Sequence, residues 1–225
     1  YGNPELVAEK NHRVNLSYSY FGSKLNVQAT VLYSRGNGTI SAYQFLDEEG
    51  VLNRTYANLS KFNAGALTLY MGYNPTPKTS VSLNAIFQYL DYHPVKKYEA
   101  YFPEGGNSGF SGSVFANFSQ KIGTGWRFVL SSGVMRPEIS IGRVPETYYF
   151  YSCYLGKTFL NDKLTIALRG QDFAESYHVS RSKESFADFE SRQKTKKFGR
   201  TFGITFSYSF GNLKEKVRKA ARSIE

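Results

Sequence analysis

The sequence holds one cysteine, Cys153, in 225 residues. No intrachain disulfide can form, and a cysteine-based metal site is disfavoured. Three histidines, His12, His93 and His178, stand far apart without metal-ligand spacing and read as surface residues. No apolar run approaches the eighteen or so residues a spanning helix needs. With a mean hydropathy of −0.42, this excludes a helical membrane bundle. It does not exclude a transmembrane barrel, whose strands are half polar. The chain begins Tyr-Gly-Asn-Pro-Glu, with no initiator methionine, basic stretch or apolar leader. It is therefore expected to be a piece of something longer.

What is abundant is aromatic residues and glycine: 18 Tyr, 18 Phe and 20 Gly against 2 Met and 1 Trp. That balance suits β-structure. The clearest strand is Arg200–Phe210. Phe202, Ile204, Phe206, Tyr208 and Phe210 alternate there with Thr201, Gly203, Thr205, Ser207 and Ser209. A period of two puts the two sets on opposite faces. The pattern recurs in 14–21, 25–34, 65–73, 81–90, 110–120, 126–134 and 164–171. Residues 147–158 are apolar on both sides, which leaves their faces unassigned. Nine strands result, most of about the nine-residue length a tilted transmembrane strand requires.

The connections alternate in length. Short turns fall at 22–24, 74–78, 121–125 and 160–163, rich in Gly, Pro, Asn and Asp. Longer polar connections fall at 46–51, 91–107, 136–146 and 173–198. Short turns on one rim and long loops on the other are the pattern of an outer-membrane barrel. Tyr20, Phe21, Tyr73, Phe118, Trp126, Phe159, Tyr208 and Phe210 lie beside the short-turn rim. Tyr33, Tyr89, Tyr92, Tyr148 and Tyr149 lie toward the other. Two aromatic belts match two membrane–water interfaces. The fold expected is all-β: about nine antiparallel up-and-down transmembrane strands, part of a larger barrel. Residues 1–211 form it, and 212–225 are a short basic periplasmic tail read as a helix. An odd count is unusual for a closed bacterial barrel, so partner strands are expected outside this chain. A soluble β-sandwich would not sort its loops in this way.

Several pieces resemble TonB-dependent receptors and the outer-membrane β-barrel family related to them. They are Gly2-Asn-Pro-Glu-Leu6, Thr55-Tyr-Ala-Asn58, Leu168-Arg-Gly-Gln-Asp-Phe173 and the ending from Gly199 to Lys219. Val7-Ala8 stands where that family usually has a proline before the glutamate. The resemblance implies the C-terminal part of a receptor barrel in the bacterial outer membrane. Such a segment forms pore wall and outer ligand-capture loops. The implied partners are membrane lipid, an upstream plug domain and further barrel, the TonB system acting through that plug, the barrel assembly machinery and an unidentified ligand. In the family a terminal aromatic helps the assembly machinery, a role that falls here on Tyr208 and Phe210. The rival expectation is a complete small structural or adhesion barrel without transport.

No catalytic set emerges, so an enzyme is not expected, and neither is a cofactor or a resident metal. Asp47-Glu48-Glu49 reads as a solvated turn before a Ca²⁺ site. Gly105 to Gly112 reads as a flexible outer loop, and Cys153 as a packed or lipid-facing small residue. The formal charge of +10 raises nucleic acid as a partner, but no recognition module accompanies it. The basic residues Arg181, Lys183, Arg192, Lys194, Lys196 and Lys197 gather in one loop with Phe186 and Phe189. They are candidates for contact with an anionic ligand or lipopolysaccharide phosphates. The bland alternative is a solvated extension of two strands.

Overall fold

The computed structural model describes residues 3–102, 104–187 and 189–210. The strands are β1 (Lys10–Phe21), β2 (Leu25–Leu46), β3 (Leu52–Thr76), β4 (Thr79–Pro94), β5 (Asn107–Ile122), β6 (Trp126–Arg136), β7 (Arg143–Pro145), β8 (Tyr148–Phe159), β9 (Leu164–Gln171), β10 (Tyr177–Ser185), β11 (Glu190–Phe198) and β12 (Thr201–Tyr208). A nine-stranded sheet runs in the order β1-β2-β3-β4-β5-β6-β8-β9-β12, and a three-stranded one in the order β11-β10-β7. Every pairing is antiparallel. The nine expected strands are thus the nine of the main sheet, arranged as an up-and-down meander. Among the described residues the outer edges of β1 and β12 carry no partner strand.

The register separates the two faces. Leu25, Tyr73, Val81, Phe118, Leu130, Cys153, Gly170 and Phe202 are successive cross-strand partners on eight strands. One step along, Asn26, Gly72, Ser82, Asn117, Ser131, Ser152, Gln171 and Thr201 form the matching row on the other face. Cross-strand partners point the same way, so one face is apolar throughout and the other is mostly small and polar, with a few large rings such as Tyr70, Phe115 and Phe150 on it. The assignment left open at 147–158 is resolved by register: Tyr149, Cys153 and Leu155 join the apolar face, Phe150 and Tyr154 the other. The apolar face lies bare, with Leu16 77%, Phe87 51% and Phe206 70% exposed. Such a continuous apolar surface is far larger than a soluble monomer shows, and it is what a lipid-facing wall requires.

Strand lengths depart from expectation. β2 and β3 have 22 and 25 residues, more than twice the roughly ten that cross a bilayer. Residues 35–64, of which the sequence reading assigned only the connection at 46–51, are therefore a long hairpin standing above the membrane. Its alternation is interrupted where the register shifts between Asn37 and Ile40. A bulge of this kind inverts the face of every residue beyond it, and this hides the strand from a period-two reading.

Four short connections share one end of the sheet and the longer ones the other, as expected. The long connections are not structureless, however. Segment 137–147 contains β7, and 172–200 contains the β10–β11 hairpin. The glycine-rich stretch expected to be a flexible loop instead enters β5 at Asn107. Gly112 lies at φ 147°, where a Cβ would stand 2.0 Å from the Ile86 carbonyl oxygen; only glycine admits that approach of β4.

The wall itself has little core. Buried apolar residues gather instead near the long-loop rim, on the polar-face side. Ile139 packs on Ala64 and Leu90, with Phe62 and Tyr92 beside them. Ala57, Leu59, Phe102 and Ile141 form a second cluster with Tyr43, Tyr101 and Phe186 around it. Gln88 Nε2 donates to Glu138 Oε1 at 2.9 Å, and Asn107 Nδ2 to the Ser140 carbonyl at 2.6 Å. The outer connections thus fold over the inner side of the sheet. Three of the rim aromatics stand at the expected strand ends but do not face lipid. Tyr92 packs inward against Phe62, Tyr148 has the parity opposite to Tyr149, and Phe21 pairs with Asn26 on the polar face. The remaining long-loop belt is Tyr33, Tyr89 and Tyr149, joined by Phe110, at 52%, 42%, 55% and 68% exposed.

Candidate functional site at the outer rim

Two short side chains build the rim by replacing backbone bonds where the ladders break. Asn58 sits at the bulge of the β2–β3 hairpin. Its Nδ2 donates to the carbonyls of Gly38 at 2.6 Å and Val7 at 2.8 Å, and its Oδ1 accepts from the Val7 N–H at 2.9 Å. Asn3 Nδ2 donates to the Tyr56 carbonyl at 2.8 Å. The segments beginning Asn3-Pro-Glu and ending Tyr-Ala-Asn58, singled out separately in the sequence, are therefore one latch.

Asp172 does the same at the end of the β8–β9 ladder. It is 2% exposed and left-handed, with φ 47°. Its N–H donates to the Tyr151 carbonyl and its Oδ1 accepts from the Tyr151 N–H, both at 2.9 Å. Its Oδ2 lies 3.1 Å from His178 Nε2, off the alignment of a hydrogen bond. His178 was expected at the surface; it is half-buried, packed where a Cβ on Gly199 would come within 2.4 Å of its ring. Asp172 thus joins the wall to the outer hairpin. Sequence reasoning marked the motif around it but not this role.

The six basic candidates all fall on β10–β11, and the register divides them. Arg181 pairs with Lys194, Lys183 with Arg192, and Val179 with Lys196. These five cations share one face, and Lys197, opposite His178, lies on the other. Arg181 Nη1 is 3.5 Å from Glu146, Lys183 Nζ is 2.9 Å from Glu190, and Arg192 also contacts Glu190. Glu190 is held below its usual carboxylate range, first by the Lys183 hydrogen bond and then by Arg192. Lys196 Nζ stands 3.8 Å from the Tyr177 ring centroid. Lys194 and Lys197 have no carboxylate at ion-pair distance among the described residues.

An open cleft of about 660 Å³ lies where β8 meets this hairpin. Phe150 and Gln171 from the polar face, Tyr149 from the apolar face, and His178, Lys197, Tyr177 and Phe198 from both faces of the hairpin contribute to it. Aromatic walls with a few polar and charged groups line it.

A sequence model of the outer membrane protein beta-barrel family matches residues 1–208. The chain belongs to that family. Among solved structures, the outer membrane transporter YddB from Escherichia coli is similar in fold, with a TM-score of 0.52 and 12% sequence identity over 92% of this chain. This chain spans 33% of that transporter's chain. No curated protein matches it in sequence.

As a member of that family the chain lies in the bacterial outer membrane, its apolar face against lipid and its polar face toward the lumen. The short-turn belt then marks one interface. There Lys157 Nζ stands 5.0 Å from the ring centroids of both Trp126 and Phe159, an aliphatic stem on the wall with its charge at the boundary. Tyr208 and Phe210 close β12 with ring centroids 4.6 Å apart, and the Ser209 N–H reaches the Lys163 carbonyl. Asp47, weighed against Ca²⁺ binding, uses its Oδ1 to accept from the Glu49 and Val51 N–H groups and its Oδ2 to accept from Asn53. The basic tail at 212–225 lies outside the described residues.

Proposed function

We propose that this chain is the C-terminal barrel segment of a TonB-dependent-receptor-like transporter. It would form part of the pore wall and present outer surfaces that capture ligand. It would act by binding and conduction, not by catalysis. The observation that carries this reading is the open nine-stranded sheet. Among the described residues the outer edges of β1 and β12 lack partner strands, and lipid cannot satisfy such edges, which supports further strands completing the wall. The fold likeness to a transporter about three times as long points the same way. In this reading an upstream plug fills the lumen and couples to TonB, and Tyr208 and Phe210 serve recognition by the barrel assembly machinery. The inward-folded connections and the 660 Å³ cleft lie where an incoming ligand would first meet the barrel.

The test is the full-length protein. Its coding sequence upstream of Tyr1 should specify further strands and a plug of roughly one ordinary domain's length. The purified protein should also bind the periplasmic domain of its cognate TonB. A secretion leader directly before Tyr1, with no binding to TonB, would establish the small structural barrel instead.

A further inference from the structure

The β10–β11 hairpin has an inner and an outer face, and its inner face is occupied. His178 packs on Asp172, Glu184 lies 3.7 Å from Arg143, and Phe186, just beyond β10, packs on Phe102 and Ile141. The alternating residues lie on the opposite face of the hairpin. They form a graded column. Nearest the wall, Tyr177 and Phe198 pair with ring centroids 4.5 Å apart, and Phe198 is 76% exposed. Above them come Lys196, then Arg181 with Lys194, then Lys183 with Arg192. Along each strand the cations recur every second residue, about 7 Å apart. Five cations face two carboxylates, Glu146 and Glu190, which leaves three positive charges in excess among the described residues. Aromatic rings followed by cations is the order a protein surface meets on leaving hydrocarbon for a phosphate-bearing headgroup layer.

We propose that this outward face binds the phosphates of a lipid in the outer leaflet, a phosphorylated glycolipid seated with its acyl chains against Phe198 and Phe202. The column adjoins the lipid-exposed wall through Phe198 and Phe202, both largely exposed; its lower end, Tyr177 and Phe198, also borders the cleft, so the test separates a membrane lipid from a free anion. Lys194 and Lys196 carry the contact, since neither has a carboxylate at ion-pair distance among the described residues; Arg181, Lys183 and Arg192 are partly spent on Glu146 and Glu190.

The experiment uses the full-length protein in detergent, titrated with diphosphorylated lipid A and with its fully dephosphorylated form, and read by native mass spectrometry. The wild type should retain the phosphorylated form alone. Replacing Lys194→Ala and Lys196→Ala together should weaken retention by roughly 25-fold, about fivefold for each cation near an anionic headgroup. Lys197→Ala removes the same charge from the opposite face and should leave retention unchanged. Heat-modifiable migration on gels confirms that each variant is folded. Equal binding of the dephosphorylated lipid, or an unaffected double variant, would overturn the assignment. So would displacement of the lipid by millimolar inorganic phosphate, which would mark a site for free anions.

Discussion

At the scale of single residues, the outer rim is held by side chains that stand in for backbone. Asp172 is the clearest case. In a left-handed backbone conformation it satisfies both the N–H and the carbonyl of Tyr151 and approaches His178. Asp172→Ala removes the acceptor for a buried N–H, and an unsatisfied buried donor costs about 1–3 kcal/mol. Asp172→Asn keeps an acceptor and suits a positive φ, so it should cost less than half as much. Urea unfolding of the vesicle-reconstituted protein measures both, and amide exchange at Tyr151 should quicken in the alanine variant alone. Equal losses in the two variants would mean that charge, and not the bond to Tyr151, is what Asp172 supplies.

At the scale of elements, the β2–β3 hairpin shows how far a strand can run beyond the bilayer when its tip is anchored. Asp47 lies below its usual carboxylate range, chiefly through the Val51 N–H, with further help from Asn53 and Glu49. A depressed pKa means the folded tip prefers the ionised form. Its contribution is therefore full above the ordinary value of 3.8 and is lost as pH falls through the lower folded value. After correction for intrinsic rates, exchange at residues 48–53 should be constant from neutral pH to about 4.5 and rise below about 4. Protection that persists at pH 2 would remove Asp47 from the anchoring role. The same hairpin shows what the sequence concealed. Strands whose two faces meet lipid and water, such as β4 and β12, were legible because solvent contrast imposes a strict period of two. Residues 35–64 rise above the bilayer, where both faces meet water or loops and a bulge inverts parity. β10 and β11 alternate too, but cations replace hydrocarbon, so they read as a charged loop. The six basic residues were therefore found, but not the five-to-one division by face that the register imposes. Asp172 lay within a recognised motif, yet its bond to Tyr151 depends on a neighbouring strand that no local pattern reveals.

At the scale of the whole molecule, the sheet is a partition between lipid and a wet lumen, and adjacent residues should answer differently to the same charge. Leu83 lies on the apolar face of β4 between the two belts, five residues into the strand, and pairs with Met71 and Ala116. Leu83→Arg places a guanidinium in hydrocarbon and should cost about 2–4 kcal/mol. Ser82 precedes it and lies in the polar row from Asn26 to Thr201, so Ser82→Arg should stay within about 0.5 kcal/mol. Phe206 also faces lipid, but it is two pairs from the strand end at the short-turn rim, since Phe206 meets Ile166 and Tyr208 meets Leu164 at that end. A long cation there can reach the interface, so Phe206→Arg should cost about 0–1 kcal/mol. Assembly into outer-membrane-lipid vesicles, followed by reversible unfolding, gives the three values. The order Leu83 greater than Phe206 greater than or equal to Ser82 follows from a lipid-facing wall whose rim lies at Tyr208. Equal penalties at Leu83 and Ser82 would mean that both faces are dry, and a larger penalty at Ser82 would reverse the inner and outer sides.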